Sequence, residues 1–277
     1  MDFSPLRRKD ISDDPIYWSN VLIAATLLSV NLLLSKVLEL KIGKSLLISA
    51  VRCLVQLWVM ALVLKEVLMT ENTLYSLLIT TVLACLAAYE VTYWRIEEKI
   101  PGMYVCVFVS IFSSSLLIGT LGNHFAMNTH PAWAAYKFIP TIGMLLGNTM
   151  VGVIFGVKSI IRSCSQEGDQ IELMLAYGAT RTEVAKPVLS KAMKAALVPT
   201  INSMSVTGLI SIPGMMTGQI LAGADVMQAA HYQQIIMFLI SATTCVGSIT
   251  ACLFVLASLI DNKPRLRADR IKLHSDI

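Results

Sequence analysis

Charge is scarce in this 277-residue chain. Only 14% of its residues are Asp, Glu, Lys or Arg, against about 25% in a typical soluble domain. Other things are missing too. There is no Asn-x-Ser/Thr sequon, no internal repeat and no low-complexity tract. The six cysteines form no disulfide framework. Cys53, Cys85, Cys106, Cys245 and Cys252 fall inside apolar runs, where thiols behave as small hydrophobes, and Cys164 sits in a basic connection. Residues 1–16 are polar, and the first apolar run is too long for a signal-peptide core and lacks a clear cleavage site, so no signal peptide is expected. A phosphate-binding loop is also absent. Gly43-Lys44-Ser45 is the nearest approach, but Leu38 stands where such a loop needs glycine. The chain does not hydrolyse ATP by that route, and no cofactor is expected in it.

What is abundant is oil: 55% of residues are hydrophobic. A bilayer-spanning helix needs about 20 mostly apolar residues, because its backbone must be satisfied internally. Seven runs qualify: Tyr17–Ser35, Leu46–Leu64, Thr73–Tyr93, Met103–Leu121, Tyr136–Val157, Ala192–Ile212 and Gln233–Leu259. The predicted fold is all-α and polytopic, with a polar tail at 1–16, a transmembrane domain at 17–262 and a basic tail at 263–277. Lysine and arginine are unevenly shared between the two sides. The segment after the fifth run, into the start of the sixth, holds Lys158, Arg162, Arg181, Lys186, Lys191 and Lys194, and the tail holds Lys263, Arg265, Arg267, Arg270 and Lys272. The rich side is predicted to be cytosolic. This puts the N-terminus outside or in a lumen and the C-terminus in the cytosol. The basic tail suggests anionic membrane lipid as a contact, and nothing points to nucleic acid.

The longest connection, at about 163–190, is punctuated like a pair of helices. Asp169 precedes Glu172 by three residues, a capping pair. Leu173-Met174-Leu175-Ala176-Tyr177 follows, and Gly178 offers the left-handed conformation that ends helices. Thr180 and Glu183 form a second capping signature, and Pro187 breaks or begins the next helix. The prediction is a short cytosolic helix, a glycine turn, and a second short helix leading into the sixth span. Ile171, Met174 and Leu175 are expected to be exposed along one side, available to a protein partner, the lipid interface or neighbouring loops.

Glu172, Ala176, Gly178 and Ala179, with Lys186-Pro187, resemble the cytoplasmic "EAA" coupling loop of ABC-transporter permeases, with Leu173 and Met174 replacing the usual alanines. "IPTIGMLLGNTM" (139–150), "ELMLAYGATRTEVAKPVLSKAM" (172–193) and "LISIPGMMTGQILAGADVMQAAHYQQIIM" (209–237) look like the FetB/YbbM-type permease family, which includes plant aluminium-sensitivity and STAR-type permeases. The likeness runs from about residue 45 to 260 and is strongest from 136 to 250. It implies a permease subunit driven by a separate ABC ATPase that binds ATP and Mg. The ATPase would grip Glu172, Met174, Leu175, Ala176, Gly178, Ala179 and Thr180. It also implies a second permease copy. The cargo stays open, because family members are linked to iron export, nucleotide sugar and aluminium tolerance.

Polar groups inside the apolar runs are the candidates for a path. A charge at mid-membrane costs about 2.5–3.5 kcal/mol. Arg52 and Gln56, one turn apart, either line a path or, for Arg52, reach to lipid phosphates. Glu90 reads as a boundary charge. Gly143-x-x-x-Gly147 and Gly152-x-x-x-Gly156 allow close helix approach, within one subunit or between two copies, and Asn148 lies beside the first pair. Asn202, Ser203, Ser205, Thr207 and Ser211 run along the sixth span, where hydroxyls also bond to their own backbone. In 212–223, Pro213, Gly214, Gly218 and Gly223 are expected to prevent a regular helix, which makes the stretch, with Met215, a candidate gate. Met144, Met150, Met204, Met215 and Met216 invite soft-metal binding, but packing is the better reading. His124 and His130 read as solvated. The rival function is an ATPase-independent secondary transporter or channel, which would want a mid-span carboxylate. A membrane regulator that moves no cargo would want a large extracytoplasmic domain.

Overall fold

The structure, a computed structural model, describes residues 17–40, 42–68, 73–129, 131, 133–260, 265–267 and 270–273. The polar tail at 1–16, His130 and Lys263 lie outside the described residues. The chain divides into two units, Met1–Glu66 and Val67–Ile277.

In the first unit, α1 (Trp18–Thr26) passes into α2 (Leu28–Val37) through Leu27, whose backbone is itself right-handed helical, so the two make one apolar rod. A turn with Glu39 at positive φ leads to α3 (Gly43–Leu68). No residue in the most apolar windows of these helices is buried. Most Leu, Val and Ile side chains between Leu22 and Val63 are exposed.

The second unit holds α4 (Thr73–Tyr89), α5 (Met103–Leu121), α6 (Ala135–Gln166), α7 (Gly168–Ala176), α8 (Arg181–Val206), α9 (Gly214–Leu221) and α10 (Val226–Leu259). A single π-helical turn extends α4 over Glu90–Arg95 and α5 over Gly122–Ala126. Two-residue strands β1 (Glu98–Lys99) and β2 (Lys272–Leu273) pair antiparallel. The centre is α6 and α10, each packed on α5 and α8, with α4 against α5 and α6. Glycine makes this density possible. A Cβ on Gly152 would lie 2.5 Å from the Thr244 methyl and 2.7 Å from Ser248 Oγ, and one on Gly247 would collide with Thr149. As the α6 position rises from Gly152 to Gly156, its α8 neighbours fall from Ala196 to Ala192, so the two helices run antiparallel. The α8 face turned inward is Val184, Val188, Ala192, Ala196 and Thr200, a strict four-residue repeat of small side chains.

Among the described residues, six helical segments are long and apolar enough to cross a membrane: Trp18–Val37, Gly43–Leu64, Thr73–Arg95, Met103–Ala126, Ala135–Gln166 and Val226–Leu259. The seventh expected run lies on α8. That helix is long enough, but its first fourteen residues carry Arg181, Glu183, Lys186, Lys191 and Lys194. It also stops at Val206 rather than Ile212. The chain turns there because Gly208 sits at φ +90° and its N–H bonds Ser211 O at 2.9 Å. With 32 and 34 residues, α6 and α10 reach roughly 50 Å, well beyond the ~30 Å hydrocarbon layer. The expected thirty-residue connection between spans five and six is therefore mostly helix: α6 runs nine residues past Val157, and α8 begins at Arg181.

Candidate functional site

The overhanging ends of α6 and α8 carry an elbow built from local chemistry. At the end of α7, Gly178 adopts φ +90°. Its N–H bonds Leu175 O at 3.1 Å, and the Ala179 N–H bonds Met174 O at 3.1 Å. These are the two bonds of a Schellman ending, and they need glycine at that place. The next residue, Thr180, caps α8. Glu183 N–H donates to Thr180 Oγ1 at 3.4 Å, and Thr180 N–H donates to Glu183 Oε2 at 2.8 Å. Both expected signals are present, and Thr180 has its hydroxyl committed inside the elbow. The Thr180 N–H, and with it the Thr180 hydroxyl at 2.8 Å, donates to Oε2 and so holds the Glu183 carboxyl below its ordinary value.

Three expectations fail here. Asp169 does not cap α7. The helix starts earlier, from Glu167 without a side-chain cap, and Asp169 lies in its first turn, where a negative charge suits the helix dipole. The Glu167 carboxylate instead meets Lys191 Nζ, at 2.8 Å from each oxygen. Pro187 neither breaks nor begins a helix. It lies within α8, whose start Thr180 and Glu183 have already set. The apolar stripe is also split. Ile171 and Leu175, at 4% and 5% exposure, belong to the core, because residues four apart share a helix face and that face is turned inward. Glu172, Leu173, Met174, Ala176 and Tyr177 are the exposed ones, with Ala179 partly buried.

The path candidates separate into groups. Arg52 and Gln56 lie on α3 of the first unit, Arg52 half-buried and Gln56 exposed. In the second unit, Asn148 Nδ2 donates to Met144 O at 2.8 Å, Ser205 Oγ to Ile201 O at 2.9 Å and Thr207 Oγ1 to Ser203 O at 2.6 Å. Each bonds its own helix. Asn148 and Asn202 are both exposed, and the antiparallel register of α6 and α8 sets them at about the same depth. A Cβ on Gly143 or Gly147 would meet nothing within 4 Å, whereas Gly152 and Gly156 press on α8 and α10. The first glycine pair is open and the second is packing within the subunit.

The stretch 212–223 is not the irregular turn that its glycines and proline predict. Gly214–Leu221 is a regular two-turn helix. Pro213 is its N-cap, where no N–H is required, and an interior Gly218 costs only about 1 kcal/mol. Gly223, at φ +92°, closes it through Gly223 N–H to Ile220 O and Ala224 N–H to Gln219 O, both 3.0 Å. Asp225 then caps α10, its Oδ2 accepting from Gln228 N–H at 3.0 Å. Met215 packs against the core, while Gly214 and Gly218 face open space.

Sequence reasoning missed the non-local ties around the elbow. Arg181 Nη2 donates to Ala257 O at 2.8 Å and Arg270 Nη1 to Ser258 O at 2.7 Å. It also missed an open cleft of about 440 Å³ beside the end of α6, lined by Glu97, Glu98, Lys158, Arg162, Ser165 and Gln166. Nothing in residue spacing marks such partners. Among the described residues, no group of three or more His, Cys, Asp or Glu is placed to hold a metal.

Comparison with known proteins agrees with this architecture. A profile of the family described as Uncharacterised protein family UPF0014 matches residues 18–260. The Bacillus subtilis UPF0014 membrane protein YjkA is 32% identical, over 78% of this chain and 86% of its own length. The probable iron export permease protein FetB of Escherichia coli is 28% identical, over 90% and 95%. The Arabidopsis thaliana protein ALUMINUM SENSITIVE 3 is 30% identical, over 83% and 81%. No solved structure matches.

Proposed function

The chain belongs to the UPF0014 family and is a multi-pass integral membrane protein, and from that premise we propose that it is the permease subunit of an ABC transporter, driven by a separate ATPase that binds ATP and Mg. One observation carries this reading. Helix α7 is fastened to its own bundle through Ile171 and Leu175 yet presents Glu172, Leu173, Met174, Ala176 and Tyr177 outward. A helix clamped on one face and bare on the other can receive a push and pass it on. It sits between α6 and α8, the two long helices joined to it. Leu175 then acts as an anchor rather than a contact, and Thr180 as a cap that holds the elbow's angle.

The cation-rich end, with α7, would face the cytosol, which sets the N-terminus outside and the C-terminus inside. A second copy would cover the open Gly143–Gly147 face of α6, with Asn148, Asn202, Ser205 and Thr207 near the resulting path and Pro213, Gly214, Met215 and Gly218 at its outer mouth. Arg52 and Gln56 remain path candidates on α3. The Escherichia coli relative's name supports metal export, with iron as the example. Such a cargo would meet neutral amides and hydroxyls. A nucleotide sugar would use the same hydrogen-bonding groups. Anionic lipid would meet the exposed cations of the cytosolic end.

The test is to purify the chain from its native membrane and identify the ATPase that comes with it. Gly178→Pro and Glu172→Lys should abolish co-purification and coupled ATP hydrolysis while membrane insertion stays intact. Full coupling in both variants refutes the docking assignment. Met204→Leu and Met215→Leu should leave metal handling unchanged, and a loss in either would place thioethers on the path.

A further inference from the structure

The last turn of any α-helix leaves carbonyls without intrahelical partners. At the end of α10 three consecutive ones are taken by distant donors. Ala257 O accepts from the Arg181 guanidinium at 2.8 Å, Ser258 O from that of Arg270 at 2.7 Å, and Leu259 O from the Arg267 N–H at 2.8 Å. Two of the three bonds bring positive charge to the negative end of the helix dipole. Two donors belong to the tail beyond α10, and the third is the first residue of α8.

The same tail reaches further. Leu266 is 6% exposed and part of the core. It pairs with Ile260 in a β-bridge, and its Cδ2 lies 3.5 Å from where a Cβ on Gly168 would stand, in the first turn of α7. Lys272–Leu273 then pairs with Glu98–Lys99, the link that leads into α5. Helix α7 is joined covalently to α6 and α8 only. Through the tail it is also tied to the end of α10 and the entrance to α5.

We propose that the described tail residues 265–267 and 270–273 act as a strap that transmits displacement of α7 to the cytosolic end of α10, an inference that rests on the reading of α7 as the ATPase contact. The tail composition suggested a lipid-seeking basic segment. The strap gives Arg270 a fixed internal task instead.

Hydrogen exchange on the full chain bound to its ATPase, with and without ATP plus vanadate, tests the strap. In the unaltered chain, exchange should change by about threefold or more at 170–177 and at the last turn of α10 together. In Arg270→Ala and Leu266→Ala the change at α7 should remain and the change at α10 should fall by about half or more, the bond from Arg181 to Ala257 O being left in place. Arg270→Ala removes no side chain of the apolar core, so it keeps the test decisive if Leu266→Ala fails to fold. A response at α10 that is undiminished in Arg270→Ala overturns the strap and leaves the ATPase contact standing. A response at α7 alone in the unaltered chain also overturns it. Failure of any ATPase to bind overturns the functional reading, and the strap falls with it.

Discussion

The chain builds the same elbow twice. At 176–183 a helix ends on Gly178-Ala179 and the next begins on a Thr180 cap; at 221–228 a helix ends on Gly223-Ala224 and the next begins on an Asp225 cap. Both glycines sit near φ +90°, and both make the same pair of closing bonds. Their surroundings differ. The helix before the first elbow buries Ile171 and Leu175, and the helix before the second buries nothing fully. The two also lie at opposite ends of the bundle, because α10 starts at one and its far end is bonded to Arg181 at the other. Caps decide how sharply a chain turns. Burial decides whether the turned helix is an anchored lever or a surface flap.

The largest effect should come from removing an anchor. Leu175→Ala deletes a core side chain, and Leu-to-Ala changes in cores cost about 2–5 kcal/mol. Met215→Ala on α9 should cost clearly less, because Met215 is only partly buried. Thermal unfolding of the detergent-solubilised protein reads both. Equal losses would mean that α9 is as firmly docked as α7 and would dissolve the contrast. Leu173→Ala is the internal control. It lies two residues from Leu175 but is 57% exposed, so its stability should stay within about 0.5 kcal/mol of the parent.

Next comes the turn itself. No neighbour lies within 4 Å of a Cβ on Gly178 or Gly223, so Gly178→Val and Gly223→Val act through backbone strain alone. Each should cost about 1–3 kcal/mol, by similar amounts. Function should then separate them: Gly178→Val should weaken ATPase coupling, and Gly223→Val should leave it intact. Similar unfolding shifts with divergent coupling sharpen the comparison. Coupling lost equally in both would remove the special role of the first elbow.

What was legible beforehand follows the same divide between local and distant chemistry. Gly178 and the Thr180–Glu183 pair were readable because a cap is decided within one helical turn. The apolar runs were readable because a bilayer demands length and composition, not particular neighbours. Ile171 and Leu175 were wrongly placed outside, since a nine-residue amphipathic helix does not say which side its partner lies on. Pro187 reads as a boundary because an interior proline costs a helix about 3 kcal/mol, yet α8 runs through it from Arg181 to Val206, carried by the buried face of Val184, Val188, Ala192 and Ala196 rather than by local preference. The helix at 214–221 is hidden in the sequence because Gly214 and Gly218 read as breakers, while Pro213 serves as its N-cap. Arg181 and Arg270 gave no signal at all. Their acceptors are backbone carbonyls of α10, and any sequence supplies those.

The caps should give the next smaller effect. Thr180→Ala and Asp225→Ala each remove a side-chain acceptor at a helix start, typically about 1 kcal/mol. Amide exchange in the first turns of α8 and α10 should rise several-fold, each variant acting only at its own elbow. A rise at both elbows from either substitution would show that they are coupled.

The smallest effect is a titration confined to the first elbow. Glu183 accepts from the Thr180 N–H and hydroxyl, which lowers its folded pKa. A lowered pKa means that the contribution is fully present above the unfolded value, about 4.3 for Glu, and is lost as pH falls through the folded one. The Ala179 methyl resonance, followed from about pH 6 to about pH 3, should therefore shift with a midpoint below that of an ordinary glutamate. Glu183→Gln should abolish the shift. A midpoint at or above the ordinary value would mean that the carboxylate does not hold the Thr180 N–H in solution. The capping box would then be a weaker constraint on the lever than the hydroxyl bond of Thr180 alone.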